Sequence, residues 1–253
     1  MRNLLKQSLS LLLCSFVFLN VFSQKKAKEA FYLFDKSWNP VSKQEDAIFF
    51  GKMTQLSDTA FVWDEYNYMG PKIRSLTYMD EKQEVLHGHQ VIYRASGYID
   101  SAGDVSKGKL TGDWVYLNDT GAIIYTKTYN NGKLIHVKDH LKDVDSAKNA
   151  GKSYDDEKES EFPGGIQKWQ RYLIKNLTYP DRAVKANVMG KVILVFIVNV
   201  KGGIESIELL KSVEYSIDEE AIRLIKNSPD WTPAFQNGKH VKSYKKQPLV
   251  FRF

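Results

Sequence analysis

The histidine pair His87 and His89 is the clearest candidate for metal chemistry in the sequence. Two side chains separated by one residue lie on the same face of a strand and could bind one metal ion. A stable site needs further ligands, and no cysteine or acidic cluster is evident beside the pair. We therefore interpret the pair as part of a surface turn and predict no metal site.

The acidic run Asp-Glu-Glu at 218–220 is the clearest candidate for acid–base catalysis. It falls in the first turn of a predicted helix, where carboxylates interact favourably with the helix dipole. The glycine pairs at 164–165 and 202–203 lack the rest of a phosphate-binding motif, and Trp231, which prolines flank, is interpreted as a packing residue. No nucleophile–base pair is evident, so we predict that the protein is not an enzyme and needs no cofactor.

The composition is that of a globular protein with much β-structure. The 253 residues suffice for two small domains, with 43% hydrophobic and 26% charged residues. Aromatic residues reach 13% and favour pleated sheets. The net charge of +6 is small and scattered, so we predict no nucleic-acid partner.

Residues 1–23 have the pattern of a secretory signal peptide. Arg2 and Lys6 precede an apolar run at 9–22, and the residues before Gln24 suit a cleavage site. The run is shorter than the ~20 residues that a membrane-spanning helix needs. We predict export to the periplasm and a mature chain that begins at Gln24, with an uncleaved inner-membrane anchor as the alternative.

The single cysteine, Cys14, lies inside this apolar run. It follows Leu13, where a lipoprotein signal has a small residue, so we predict no lipid anchor there. Cleavage before Gln24 would remove the cysteine. Disulfides, zinc–thiolate sites and cysteine nucleophiles are then excluded from the mature chain.

Residues 24–136 form a predicted β-rich region. The part at 24–50 shows no clear pattern, whereas short aromatic and β-branched runs alternate with turn residues from 51 to 135. Gly88 and Gly112 open two such stretches and lie 24 residues apart, a spacing that fits one hairpin per repeat. The pattern predicts a series of β-hairpins.

The segment from Gly108 to Tyr116, followed by turns at 118–121 and 130–132, resembles the MORN-type repeat. The resemblance extends over about 85–135, with one good copy and degenerate neighbours. It implies a β-hairpin repeat region that serves as a structural or binding platform and has no activity of its own.

Residues 137–161 are predicted to be a charged linker. Large apolar residues are scarce there, so the segment cannot bury enough surface to fold alone. Fully extended, such a segment reaches at most roughly 80–90 Å.

Residues 162–253 have the pattern of a small α+β domain. Apolar residues at helical spacing predict a helix over 166–177, and β-branched residues predict strands at 189–200 and 204–212. Further elements are a short helix at 181–186, a helix that Ser216 and Glu219 begin as a capping box, and a last strand at 247–253. We predict helices packed on a small antiparallel sheet.

This segment resembles the TonB C-terminal domain in the version common in Bacteroidetes-type proteins. The landmarks are Phe162-Pro163-Gly164-Gly165, Tyr179-Pro180 with Ala183, Gly190-Lys191-Val192 with Phe196, Gly203-Ile204, Asp218 with Ala221, Pro229 through Ala234, Asn237-Gly238-Lys239 and Pro248 through Phe251. Their number and order make the resemblance specific.

The resemblance implies binding of a TonB-box segment of an outer-membrane transporter by strand addition. The implied edge strand covers about 241–253, and its candidate partner-binding residues are Val241, Lys242, Tyr244, Lys246, Leu249, Val250 and Phe251. The lysines at 242, 245 and 246 either protect the edge or attract acidic segments. A homodimer through the C-terminal strand is a further implied contact.

Two departures from a standard energy transducer leave alternatives open. The N-terminal run looks cleavable, and no proline-rich spacer follows it. The first hypothesis is a periplasmic TonB-like adaptor that pairs with transporter peptides. The two departures argue against force transmission and leave peptide binding intact, and energy transduction with inner-membrane proton-channel proteins as partners is expected only if the chain is anchored. The second is an envelope scaffold without an energy-coupling role.

Overall fold

The computed structural model describes residues 27–141 and 157–253. The predicted signal peptide at 1–23 and the central part of the predicted linker lie outside the described residues. The chain divides into two compact units, Met1–Ser146 and Ala147–Phe253.

The first unit is a broad antiparallel sheet. Its strands are β1 (Lys28–Phe34), β2 (Pro40–Val41), β3 (Phe49–Ser57), β4 (Ala60–Asn67), β5 (Lys72–Tyr78), β6 (Leu86–Tyr93), β7 (Ile99–Ser106), β8 (Lys109–Leu117), β9 (Ile123–Asn130) and β10 (Lys133–Asp139). The spatial order is β10-β9-β8-β7-β6-β5-β4-β3-β1-β2, so strands β3 to β10 follow one another as successive hairpins. The antiparallel β-structure predicted from the turn spacing is confirmed.

The stretch at 27–50, which the sequence left unassigned, completes this sheet. Strand β1 pairs antiparallel with both β2 and β3, and a short 3-10 helix at Gln44–Asp46 lies between β2 and β3. One core cluster lies on the neighbouring strands β3 to β5 and consists of Met53, Phe61, Trp63, Leu76 and Tyr78. The ring of Tyr32 in β1 stacks on Trp63 at a centroid distance of 5.0 Å.

A close approach between β7 and β8 requires Gly103. A Cβ atom at this position would lie within 2.6 Å of three ring atoms of Trp114. Trp114 is buried, and its indole N–H donates a hydrogen bond to the carbonyl oxygen of Asp104 over 2.9 Å. Because glycine has no side chain, position 103 leaves room for the indole ring of Trp114 on this face of the sheet.

The histidine pair lies in strand β6. The prediction that it belongs to a surface turn is therefore wrong. The ring of His89 is 3.0 Å from a carboxylate oxygen of Asp104, and Nδ1 of His87 accepts a hydrogen bond from the amide of Lys107. Within residues 27–141 and 157–253 no group of three or more metal-ligating side chains occurs. Hydrogen bonds to β7 and to the turn that follows it account for both rings.

The second unit contains three helices and five strands in its described part. They are α1 (Gly165–Asn176), α2 (Asp181–Lys185), β11 (Gly190–Val198), β12 (Ile204–Lys211), α3 (Tyr215–Lys226), β13 (Ala234–Gln236), β14 (Lys239–Val241) and β15 (Ser243–Phe251). One sheet has the order β12-β11-β15, and β13 and β14 form a separate hairpin. Helix α3 packs against β11 and β12, so this unit is broadly α+β.

The central strand β11 and an aromatic cluster form the core of the second unit. Every second residue of β11 faces the helices. On this face Val192, Leu194 and Phe196 are fully buried. The ring of Phe196 meets Trp231 edge-on at 5.2 Å, and Trp231 lies 5.7 Å from Trp169 of α1. The predicted packing role of Trp231 agrees with this arrangement.

The Phe-Pro-Gly-Gly motif joins this cluster to the start of α1. The ring of Phe162 lies 5.2 Å from Trp169, and the amide of Gly165 donates to the carbonyl oxygen of Phe162 over 2.8 Å. Both glycines have positive φ, 82° at Gly164 and 75° at Gly165. The turn that seats Phe162 therefore favours glycine at both positions.

The helix α3 begins differently from the predicted capping box. Its N-cap residue is Glu214 and not Ser216, because the Glu214 carboxylate accepts hydrogen bonds from the amide and hydroxyl of Ser216. The same carboxylate receives Nε of Arg182 at 2.7 Å, with the Glu214 side chain 1% exposed. An ion pair between the buried Glu214 and the partly exposed Arg182 thus joins α2 to the start of α3.

Both ends of the predicted linker at 137–161 belong to ordered structure. Strand β10 extends to Asp139. At the other end, residues 157–162, which we call the entry segment, form antiparallel bridges from Lys158 to Phe235 and from Glu161 to Thr232. Four backbone hydrogen bonds of 2.8–3.0 Å make these two bridges.

The helices present within 27–141 and 157–253 are all too short or too polar to cross a membrane.

Candidate peptide-binding edge

Strand β15 lies at one edge of the three-stranded sheet, and its pairing with β11 is regular. Nine consecutive residue pairs join the two strands, from Gly190–Phe251 to Val198–Ser243, without a register shift. The topology places no strand of the described residues on the other side of β15. We call this side the open edge.

The opposite edge of the same sheet, β12, is irregular. Its pairing with β11 shifts register twice, between Ile193 and Leu194 and between Val195 and Ile197. Ser206 in β12 has a positive φ of 50°. Bulges of this kind twist an edge away from further pairing, so β15 is the better template for an added strand.

Pro248 fixes which backbone groups of β15 face the open edge. Proline has no N–H, and within a sheet its nitrogen is placed away from the neighbouring strand. Pro248 pairs with Ile193 of β11, so its nitrogen faces the open edge. Alternate residues of an antiparallel strand share one orientation, and the N–H and C=O groups of Val250 therefore point outwards as well.

The side chains of β15 alternate between the two faces of the sheet. Leu249 and Phe251 are 1% exposed on the helix-covered face, and Phe251 meets the ring of Tyr179 edge-on at 5.9 Å. Pro248 is exposed on the opposite face, where Val250 is 57% exposed. A strand added here would meet exposed apolar surface on one face only.

The lysines near the edge have different surroundings. Nζ of Lys242 lies 2.9 Å from a carboxylate oxygen of Glu205, and Nζ of Lys245 donates to the carbonyl oxygen of Ser160 over 2.7 Å. Lys246 projects on the face of the sheet opposite to Lys245. Burial, together with the charge of Lys191, lowers the pKa of the Lys246 ammonium group.

The structure separates the predicted site residues into two groups. Tyr244, Lys246, Leu249, Val250 and Phe251 lie in β15. Val241 instead ends β14 and pairs with Ala234 of β13, and Lys242 lies between the two strands. The predicted edge segment at 241–253 is therefore wrong at its start, because a separate hairpin occupies that end.

The acidic run at 218–220 has structural partners. The Asp218 carboxylate accepts hydrogen bonds from the hydroxyl of Ser212 and the amide of Val213. Glu220 accepts from the amide of Thr178 and pairs with Arg223. These contacts join α3 to the preceding segments. The predicted first-turn position holds for Asp218 only, because the helix begins at Tyr215.

Comparison with known proteins gives one family match. Residues 175–253 match the family described as the Gram-negative bacterial TonB protein C-terminal. No curated protein matches the chain. The matched range begins inside α1 and includes β11, β12, α3 and the whole of β15. Residues 175–253 are therefore a TonB C-terminal domain, as the sequence landmarks within that range predicted, and the landmark at 162–165 lies before the match.

Proposed function

We propose that the C-terminal domain binds the TonB-box segment of an outer-membrane transporter by strand addition at the open edge of β15, in the periplasm. The TonB family is a non-enzymatic family associated with transport and the envelope. The contrast between the two sheet edges carries the proposal, since β15 pairs regularly over nine residues and β12 is bulged. Backbone hydrogen bonds supply the affinity in this binding mode.

The substitution Val250→Pro tests the edge directly. The substitution removes the N–H of residue 250, which faces the open edge two residues from Pro248, where an N–H is already missing. The new proline ring would also contact an added strand. Loss of one hydrogen bond and this contact predict about a ten-fold or greater loss of affinity. Calorimetry with synthetic TonB-box peptides from the host's transporters measures it.

The matched control is Val250→Ala, which keeps the N–H and should bind nearly as the parent does. Amide exchange of β11 checks that both variants retain the sheet. Unchanged peptide affinity in a folded Val250→Pro variant would exclude the open edge of β15 as the binding site.

A scaffold function without energy coupling is the second candidate. It is supported by the first unit, a ten-stranded sheet whose sequence resembles MORN-type repeats and so implies a binding platform. Intact mass and N-terminal sequencing of the protein from fractionated envelopes test whether the chain is anchored, as energy coupling requires. A soluble periplasmic chain beginning at Gln24 supports an adaptor or scaffold, and a membrane-bound chain that retains Arg2 supports an energy transducer with proton-channel partners.

A further inference from the structure

The tripeptide Asn-Gly-Lys occurs in two hairpin turns of the described chain. It lies at 131–133, where β9 turns into β10, and at 237–239, where β13 turns into β14. Both asparagines are exposed and have a positive φ, 50° at Asn131 and 51° at Asn237. The glycines that follow have φ of 84° and 78°, as the tight turns of hairpins require. The two turns therefore share one sequence and nearly the same φ angles.

An Asn-Gly sequence can lose ammonia by attack of the glycine nitrogen on the asparagine side chain. The glycine nitrogen forms a bond to Cγ, the bond from Cγ to Nδ2 breaks, and ammonia leaves with the proton of the glycine N–H. Water then opens the five-membered succinimide ring at one of its two carbonyl groups and yields aspartate or isoaspartate. Glycine leaves its nitrogen accessible because it has no side chain. The reaction requires that the glycine N–H give up its proton.

The two glycine amides have different surroundings. The amide of Gly132 donates a hydrogen bond of 2.8 Å to the carbonyl oxygen of Leu110 in β8, whereas the amide of Gly238 has no hydrogen-bond partner among residues 27–141 and 157–253. A Cβ atom at Gly132 would lie 3.8 Å from Cβ of Lys109, and one at Gly238 would meet no heavy atom of the described chain within 4 Å. The nitrogen of Gly132 is therefore held, and that of Gly238 is free to react.

The hairpin that carries Asn237 also holds the entry segment. The amide of Lys158 donates to the carbonyl oxygen of Phe235 over 2.9 Å, and Nε2 of Gln236 donates to the carboxylate of Glu157 over 2.8 Å. In isoaspartate the backbone runs through the former side chain, so the turn becomes longer by one methylene group. Loop length and turn type set the register of a hairpin, and the longer turn no longer fits the two-residue connection.

We propose that Asn237 is a site of spontaneous deamidation in the folded protein, that Asn131 is protected, and that the isoaspartate product loosens the attachment of the entry segment. The inference is independent of the proposed function, because it concerns the β13–β14 hairpin and not the open edge. The change is irreversible, since ammonia leaves.

Peptide mapping of the intact protein by mass spectrometry tests the site. The protein is kept at mildly alkaline pH, which favours loss of the glycine proton, and the two asparagine-containing peptides are followed with time. We expect Asn237 to convert about five-fold faster than Asn131, the factor that corresponds to one backbone hydrogen bond. In concentrated urea the two rates should become equal, because the tripeptides are identical and only the fold distinguishes them.

Equal rates at the two asparagines in the folded protein, or a faster rate at Asn131, would overturn the proposal. So would the absence of conversion at Asn237 when both asparagines react in urea. Asn237→Gln should stop the modification in this hairpin, because its longer side chain must close a larger ring, and should leave the rate at Asn131 unchanged.

Amide hydrogen exchange tests the effect on the entry segment. The isoaspartate form is separated by ion exchange, and its Lys158 amide should exchange faster than in the unmodified protein. The matched control is freshly purified Asn237→Asp, which introduces the same charge with a normal backbone and should leave this exchange unchanged. Exchange in the isoaspartate form that equals the parent, or an equal rise in both charged forms, would overturn the proposed loosening.

Discussion

The Nζ of Lys245 in β15 donates a hydrogen bond to the carbonyl oxygen of Ser160 over 2.7 Å. This contact joins the edge strand to the entry segment, 85 residues earlier in the chain. Ser160 is buried, with 1% of its surface exposed. The edge strand and the start of the second unit are therefore ordered together.

Lys245→Met should loosen the entry segment. The substitution keeps an apolar stem and removes the donor, which leaves the buried carbonyl oxygen of Ser160 without this hydrogen bond. We expect a loss of about 1 kcal/mol in the local free energy of opening, measured as faster amide exchange at Lys158 and Glu161. Lys239→Met, on an exposed strand of the hairpin, should leave these amides unchanged.

Arg182→Met should destabilise the start of α3. It leaves the buried Glu214 carboxylate without its cation, and removal of one partner of a buried pair costs about 3 kcal/mol. Hydrogen exchange of the α3 amides measures the loss. Adding Glu214→Gln to this variant removes the unpaired charge and should recover part of the stability, and an additive loss would contradict the ion-pair explanation.

Gly103→Ala should strain the first unit. The new methyl group would overlap the ring of Trp114, and overpacking of this kind costs about 1–3 kcal/mol. Urea unfolding followed by hydrogen exchange in β7 and β8 tests the size of the effect. The double variant Gly103→Ala with Trp114→Leu should lose less than the sum of the two single changes, because the smaller side chain removes the overlap.

Glu205 should titrate at lower pH than an ordinary glutamate. Hydrogen bonds from Lys242 and Asn199 to the carboxylate lower its pKa. The contact therefore stabilises the fold above the pKa of the unfolded chain, and this contribution is lost as pH falls through the lower pKa of the folded state. Carboxyl NMR titration measures the midpoint.

Lys242→Gln should move the Glu205 midpoint towards its ordinary value, since it removes the largest cause of the shift. Lys239→Gln removes an equal charge without touching Glu205 and serves as the control. If both variants shift the midpoint equally, net charge and not the local hydrogen bond controls the titration.

Sequence patterns predicted the helices and strands whose burial leaves a regular spacing of apolar residues within the element itself. The spacing of Trp169 and Tyr172 predicted α1, and the β-branched run after Gly190 predicted β11, because burial on one or both faces leaves a clear period in the sequence. The order of the landmarks in the sequence identified the domain, which the family match at residues 175–253 confirms.

Features that depend on distant residues were missed. The Ser216–Glu219 spacing predicts a capping box, whereas Glu214 is the N-cap, since its carboxylate accepts hydrogen bonds from the amide and hydroxyl of Ser216 and also pairs with Arg182 of α2. Strand β1 had no clear local pattern, and its register depends on β3. The predicted edge segment at 241–253 did not separate β14 from β15, since the pattern of a strand fixes the faces of its residues and not its partner strand.

The two bridges of the entry segment also have a mechanical consequence. Their four hydrogen bonds run across the chain, between Lys158 and Phe235 and between Glu161 and Thr232. Tension along the chain axis would load these bonds together in shear, because bonds between antiparallel strands lie perpendicular to the strands. Tension across the chain would open them one at a time. The four bonds of the entry segment would therefore resist tension along the chain more strongly than tension across it.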